Sequence, residues 1–194
     1  MALPKLVILI SGRGSNMISI IEAIEAGLLP VTVAAVISNR PNAAGIDYAN
    51  KAGITTAVLD HKSFESRESF DEALADKIDS FKPDLVVLAG FMRILTTDFV
   101  HHFKNSLINI HPALLPKFKG LNTHQRAIDA GEKEHGASVH IVTAELDDGP
   151  VVLQARVPVL ENDTAETLAA RVLEQEHKLY PAAIKKLIGE LTTK

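Results

Sequence analysis

The chain of 194 residues contains no cysteine. That excludes a disulfide framework and a thiolate nucleophile, and it fits a reducing compartment. Long apolar runs are also missing: no stretch approaches the ~20 residues of a membrane helix. The first run, residues 6–10, is too short for a signal-peptide core, and no small-residue cleavage site follows it. The expected location is therefore the cytoplasm, with no membrane partner. A basic excess is absent too. Lys plus Arg number 20 against 24 Asp plus Glu, a formal charge of −4. This argues against general affinity for nucleic acid or an anionic membrane, while leaving room for a local pocket that takes a small phosphorylated ligand. Among the eight histidines, the adjacent pair His101-His102 and the pair His135 and His140 have no zinc-ligand spacing. No metal is expected.

What is present is an ordinary globular balance, 46% hydrophobic and 23% charged, too apolar for a disordered chain. At roughly 150 residues per domain, one domain over 1–194 is expected, with halves at about 1–100 and 101–194. Short apolar runs alternate with amphipathic segments. Strands are expected at 6–10, 31–37, 55–59, 84–89 and 107–110, and helices at 15–27, 44–52, 63–80 and 96–102. Strand-helix alternation of this length implies an α/β, Rossmann-like fold. Its sheet is mostly parallel and twisted, with helices on both faces and right-handed crossovers. The second half differs. A helix near 124–130 precedes strands at 138–144 and 151–157, whose six-residue connection is too short for a helical crossover, so they pair antiparallel. A C-terminal helix over 165–180 meets Pro181, which kinks or ends it before 182–188.

Five places could carry chemistry. Ser11-Gly12-Arg13-Gly14-Ser15-Asn16 lies between the first strand and the first helix, where glycines permit a tight turn and helix N–H groups attract an anion. The dinucleotide fingerprint would need a third glycine where Met17 stands, and the Gly-Lys-Ser/Thr ending of a phosphate loop is absent. The segment reads either as a phosphate site for another ligand or as a plain turn capped by Ser15. Asn109 and His111 share one face of an extended segment at the carboxyl end of the fifth strand, where open α/β sheets bind ligands, and Pro112 keeps His111 extended. An amide donor beside an imidazole can stabilise an oxyanion and move a proton; a histidine satisfied by a nearby carbonyl is the plain alternative. Asp147, in the loop before Gly149-Pro150, reads either as solvated turn chemistry or as a carboxylate that orients that imidazole, and spacing does not choose between it and its neighbour Asp148. The apolar stretch 85–95 continues past Gly90 as a loop suited to a flat aromatic ligand. Glu176 interrupts the apolar stripe of the last helix, so it needs a partner: a lysine, a backbone donor or ligand hydroxyls.

Taken together, these segments resemble the phosphoribosylglycinamide formyltransferase family over residues 6–181. The motifs are Ile10-Ser11-Gly12-x-Gly14-Ser15-Asn16, the 89–95 loop, Asn109-Ile110-His111-Pro112-Ala113-Leu114-Leu115-Pro116, His135-Gly136-Ala137-Ser138-Val139-His140 and Leu146-Asp147-x-Gly149-Pro150. The segment 109–116 marks the wider formyltransferase superfamily, and Gly14-Ser15-Asn16 with Gln175-Glu176-His177 narrows it to the purine enzyme. The resemblance implies formyl transfer from 10-formyltetrahydrofolate to glycinamide ribonucleotide in purine synthesis. It implies that Gly14, Ser15 and Asn16 hold the ribonucleotide phosphate in the N-terminal half, and that Glu176 binds its ribose. Arg67, Met92, Arg93, Ile94, Leu95 and Asn109 would bind the folate, with backbone at 142–145 near the pterin. Asn109, His111 and Asp147 would be catalytic, which selects Asp147 over Asp148. The implied partners are small molecules, and the chain would act as a monomer or homodimer. Two positions depart from relatives: Asn122 where many bacterial members have histidine, and Leu173 where some have glutamine. Neither is one of the three catalytic positions. Competing readings are a formyltetrahydrofolate hydrolase or another folate-dependent formyltransferase, which would usually carry an extra domain. A non-catalytic nucleotide-binding module would not need Asn109, His111 and Asp147 together.

Overall fold

The computed structural model describes residues 2–192. It divides into two compact units, one ending at Ile108 and the other beginning at Asn109. The first unit contains β1 (Lys5–Ile10), α1 (Ser15–Glu25), β2 (Thr32–Ser38), α2 (Ala44–Lys51), β3 (Thr56–Val58), α3 (Arg67–Asp79), β4 (Leu85–Leu88) and α4 (Thr97–His102). β5 (Leu107–His111) crosses the division. The second unit continues with α5 (Thr123–Asp129), β6 (Glu134–Ile141), β7 (Val151–Pro158) and α6 (Ala165–Thr192).

Hydrogen bonding orders the strands β3-β2-β1-β4-β5-β6-β7. β1 runs parallel to both β2 and β4, β2 runs parallel to β3, and β6 is antiparallel to β7. This is an α/β fold with a mostly parallel sheet and an antiparallel pair in the C-terminal half. β1 lies inside the sheet and is covered on both faces, which is why its sequence is an unbroken aliphatic run rather than an alternation. Leu6, Val7, Ile8, Leu9 and Ile10 are all fully buried, and five such side chains contribute roughly 10 kcal/mol of gross burial energy. The strand order reverses between β1 and β4, and in open α/β sheets ligands bind beyond the strand ends at such a switch.

Several boundaries differ from the sequence expectation. The expected helix at 63–80 is a 3-10 turn at His61–Ser63 followed by α3. Ser66 caps α3: its Oγ accepts from Ser69 N at 3.0 Å, and Ser69 Oγ accepts from Ser66 N at 3.2 Å. Ser15 is the first helical residue of α1 rather than its cap; Gly14, at φ 70°, holds the cap position. β6 begins at Glu134, four residues before the expected 138, because Glu134–Gly136 pair with Arg156–Pro158. Pro181 does not end the last helix, which continues to Thr192. Proline removes one helical hydrogen bond, but Leu179, Tyr180, Ala183, Ile184 and Ile188 around it are buried, and that packing offsets the loss. α6 packs against β6, β7 and α5. Among the described residues no helix is long and apolar enough to cross a membrane.

Candidate active site

In the first unit, the turn after β1 closes over the N-terminus of α1. Gly12, Arg13, Gly14, Ser15 and Asn16, with Ala89 and Gly90 after β4, line a cavity of about 190 Å³. Gly14 takes the left-handed conformation, which glycine adopts without Cβ strain. No side chain caps α1, so its first-turn N–H groups remain available to an anion. α2 supports the turn from behind. Gly45 N donates to Gly12 O at 3.0 Å, and a Cβ at Gly45 would lie 2.5 Å from the Ile10 side chain and 3.0 Å from Gly12 O. Gly45 is a supporting residue that sequence reasoning missed, since nothing local distinguishes it from an ordinary helix glycine.

The segment after Gly90 is irregular up to α4. Met92 and Ile94 expose 64% and 63% of their surface, so this apolar loop faces outward rather than filling core. Arg93 lies over the Phe70 ring at 4.8 Å, and Leu95 is half-buried. Arg67 is exposed at the first position of α3.

In the second unit, Asn109 and His111 project from the same face of β5, two residues apart; Asn109 is half-buried and His111 buried. The chain beyond His111 is pinned in place. Ser138 Oγ donates to Ala113 O at 2.7 Å and accepts from Leu115 N at 3.1 Å, and Thr123 Oγ1 donates to Pro112 O at 2.6 Å. His111 Nδ1 lies 3.4 Å from Asp147 Oδ2, and its Nε2 lies 2.8 Å from Phe118 O. Both neighbours are acceptors, so a neutral imidazole can donate to only one of them. Asp147 Oδ2 also accepts from Gly120 N at 2.9 Å. Asp147 itself sits at φ 50°, a left-handed backbone that Asp tolerates better than most residues but at some cost. Such strain persists where surrounding structure enforces it, often at functional sites. Asp148 instead points outward and pairs with Lys119. Glu176 is buried on α6. One turn on, the Tyr180 hydroxyl is pushed well above its usual pKa by burial and then by the Glu176 charge.

Three further histidines of this unit belong to the electrostatics around His111. His135 Nε2 lies 3.2 Å from His124 Nδ1. Burial first, then the neighbouring His124 and His111, push His135 down to about 4. Burial also lowers His124, with His111 adding to it. His140 Nε2 lies 3.8 Å from Asp147 Oδ1. Burial lowers its pKa, although the Ile141 carbonyl and the Asp147 charge pull the other way. At neutral pH these three rings are uncharged hydrogen-bonding groups. The sequence offered His135 and His140 as a failed metal pattern and as the ends of a family motif, with no role for either ring. His140 meets Asp147, whereas His135 meets His124. Among the described residues no group of three or more His, Asp or Glu side chains is disposed to hold a metal ion.

Comparison with known proteins bears on this arrangement. Residues 4–184 match the formyl transferase family. The chain is 52% identical over 179 residues to phosphoribosylglycinamide formyltransferase of Escherichia coli, covering 92% of this chain and 84% of that one. A solved phosphoribosylglycinamide formyltransferase from Coxiella burnetii superposes with a TM-score of 0.90 at 50% identity, over 94% of this chain and 86% of the other. Glycinamide ribonucleotide transformylase 1 from Symbiobacterium toebii superposes with a TM-score of 0.94 at 42% identity, over 97% and 89%. The chain belongs to the formyl transferase family, in its phosphoribosylglycinamide formyltransferase branch.

Proposed function

We propose that this chain transfers the formyl group of 10-formyltetrahydrofolate to the primary amine of glycinamide ribonucleotide, a cytoplasmic step of purine synthesis acting on small molecules. The observation that carries the reading is the contact of His111 with Asp147 at 3.4 Å, beside Asn109 on the same strand face. In this reading Asn109 and doubly protonated His111 donate hydrogen bonds to the oxygen of the formyl group. As the amine nitrogen attacks the formyl carbon, that oxygen gains negative charge, and preorganised donors stabilise it. Asp147 supports the imidazolium and assists proton transfer from the attacking nitrogen to N10 of the folate. The carbon–N10 bond then breaks, giving formylglycinamide ribonucleotide and tetrahydrofolate. No covalent enzyme intermediate is required, which suits a chain without cysteine. The His111 Nε2–H that faces Phe118 O would redirect its hydrogen bond to the oxyanion during the step, the proton staying on the imidazolium, so the Phe118 carbonyl acts as a resting partner.

The remaining roles follow the same reading. Gly14, Ser15 and Asn16 bind the phosphate through the α1 N-terminus, and Glu176 binds the ribose hydroxyls. Arg67 binds the folate together with Asn109 and the loop of Met92, Arg93, Ile94 and Leu95. The test is an assay with both substrates. Loss of formyl donor that depends on the amine is expected, and His111→Ala is expected to reduce turnover by about 10²–10⁴-fold, the size of acid–base contributions. Donor loss without the amine would identify a hydrolase instead, and undiminished turnover in His111→Ala would remove the proposed chemistry.

A further inference from the structure

The outward-facing loop after Gly90 is gripped by side chains that no role described so far requires. Residues 91–95 belong to no strand or helix, yet both ends of the loop are tied down within the first unit. At one end, Met92 N donates to Ser11 Oγ at 2.8 Å. Ser11 is buried, and its own proton is committed, because Oγ donates to Asn39 Oδ1 at 2.5 Å. Asn39 is buried in turn, with its Nδ2 at 3.2 Å from His61 Nδ1. The serine's lone pair is thus aimed at Met92 by a hydrogen-bond chain through buried Asn39 and half-buried His61. At the other end, Thr96 N donates to Asp71 Oδ2 at 2.6 Å, a short charge-assisted bond. Asp71 is 3% exposed. Between the two anchors, the Arg93 guanidinium rests on Phe70, the residue preceding Asp71 on α3.

Stability alone does not account for this arrangement. The loop held in place exposes two large apolar side chains, and exposed apolar patches mark binding surfaces more often than they aid folding. The second Asp71 oxygen, Oδ1, is buried without a hydrogen-bond partner, and desolvating a carboxylate oxygen in that way is unfavourable. We infer that Ser11 and Asp71 are positioning residues that fix the backbone of residues 92–95 in the conformation that receives the folate. Ser11 acts with Asn39 behind it. This rests on the folate reading of the loop given above.

The test separates the two substrates kinetically. Ser11→Ala and Asp71→Ala are each expected to raise KM for 10-formyltetrahydrofolate by about 10-fold, the effect of losing one buried hydrogen bond. KM for glycinamide ribonucleotide is expected to stay within about twofold, even though Ser11 adjoins the turn at Gly12–Gly14. Asn39→Ala is expected to produce part of the Ser11→Ala effect. The two are not additive, since the hydrogen bonds lie in series. Asp71→Asn retains an acceptor for Thr96 N and is expected to restore most of the folate KM. It also keeps the test decisive if Asp71→Ala folds poorly. Equilibrium titration with 5-formyltetrahydrofolate gives the same comparison without turnover. Equal increases in both KM values, or an unchanged folate KM in an active enzyme, overturn the positioning role alone. A wild-type protein that neither binds nor consumes the folate overturns the functional reading and this inference with it.

Discussion

Asp147 and Asp148 are neighbours of identical chemistry with opposite surroundings, and that contrast can be tested directly. Asp147 is nearly buried, contacts His111 and accepts from Gly120 N. Asp148 is half exposed and meets only the Lys119 ammonium in a surface pair, the kind of interaction that contributes 0–1 kcal/mol. Asp147→Asn preserves volume but removes the charge beside His111, and turnover is expected to fall by about 10²–10⁴-fold. Asp148→Asn is expected to leave turnover within about twofold. Steady-state kinetics on the two variants decides the matter. Comparable losses in both would mean that the carboxylate acting on His111 has been misassigned. Sequence spacing could not make this choice. His111 and Asp147 are brought together by a loop whose course depends on a left-handed backbone at Asp147 itself.

The elements were legible wherever the cause of their formation is local. β1 reads from its aliphatic run, and Asn109 and His111 read as one face of a strand from period-two spacing alone. Where long-range packing decides, the sequence was silent. Pro181 is carried inside α6 by the burial around it. The first turn of β6 exists because β7 lies opposite. The grip of Ser11, Asn39 and Asp71 on a loop some 80 residues from Ser11 leaves no pattern in the sequence. The β6–β7 connection shows the same dependence. Gly149 is buried, and a Cβ there would collide with the Ile141 carbonyl oxygen, while Ile141 N donates to Pro150 O at 2.9 Å. The close approach at Gly149 closes the loop that carries Asp147. Gly149→Ala is therefore expected to destabilise the protein by about 1–3 kcal/mol, the range for overpacking, and to reduce turnover by disturbing Asp147. Urea unfolding together with kinetics checks both effects. A variant with wild-type midpoint and wild-type turnover would show that the loop closes without this approach.

For the molecule as a whole, the buried histidines of the second unit set how stability depends on pH. His135 has an ordinary value of 6.5 and is held at about 4 in the folded protein; His124 and His140 are lowered in the same direction. Between those two values the unfolded chain binds a proton at position 135 that the folded chain refuses. Stability then rises with pH across this window. In the other direction, it is full above about 6.5, is lost progressively as pH falls towards 4, and changes no further on account of His135 below that. For this residue the loss approaches about 3 kcal/mol, and each kcal/mol corresponds to roughly 2–4 °C in Tm for a chain of this size. Carboxylates titrate mainly below the window, so the upper part of the slope reports histidine. Thermal unfolding followed from pH 7.5 to pH 4.5 is expected to show a flat upper region and a decline beginning near 6.5. His135→Gln keeps a polar side chain but has no proton to take up, so its decline is expected to be shallower, with the remainder due to His124 and His140. A wild-type Tm that stays level down to pH 5, or a His135→Gln slope equal to wild type, would contradict the assignment of this acid sensitivity to the buried imidazoles around His111.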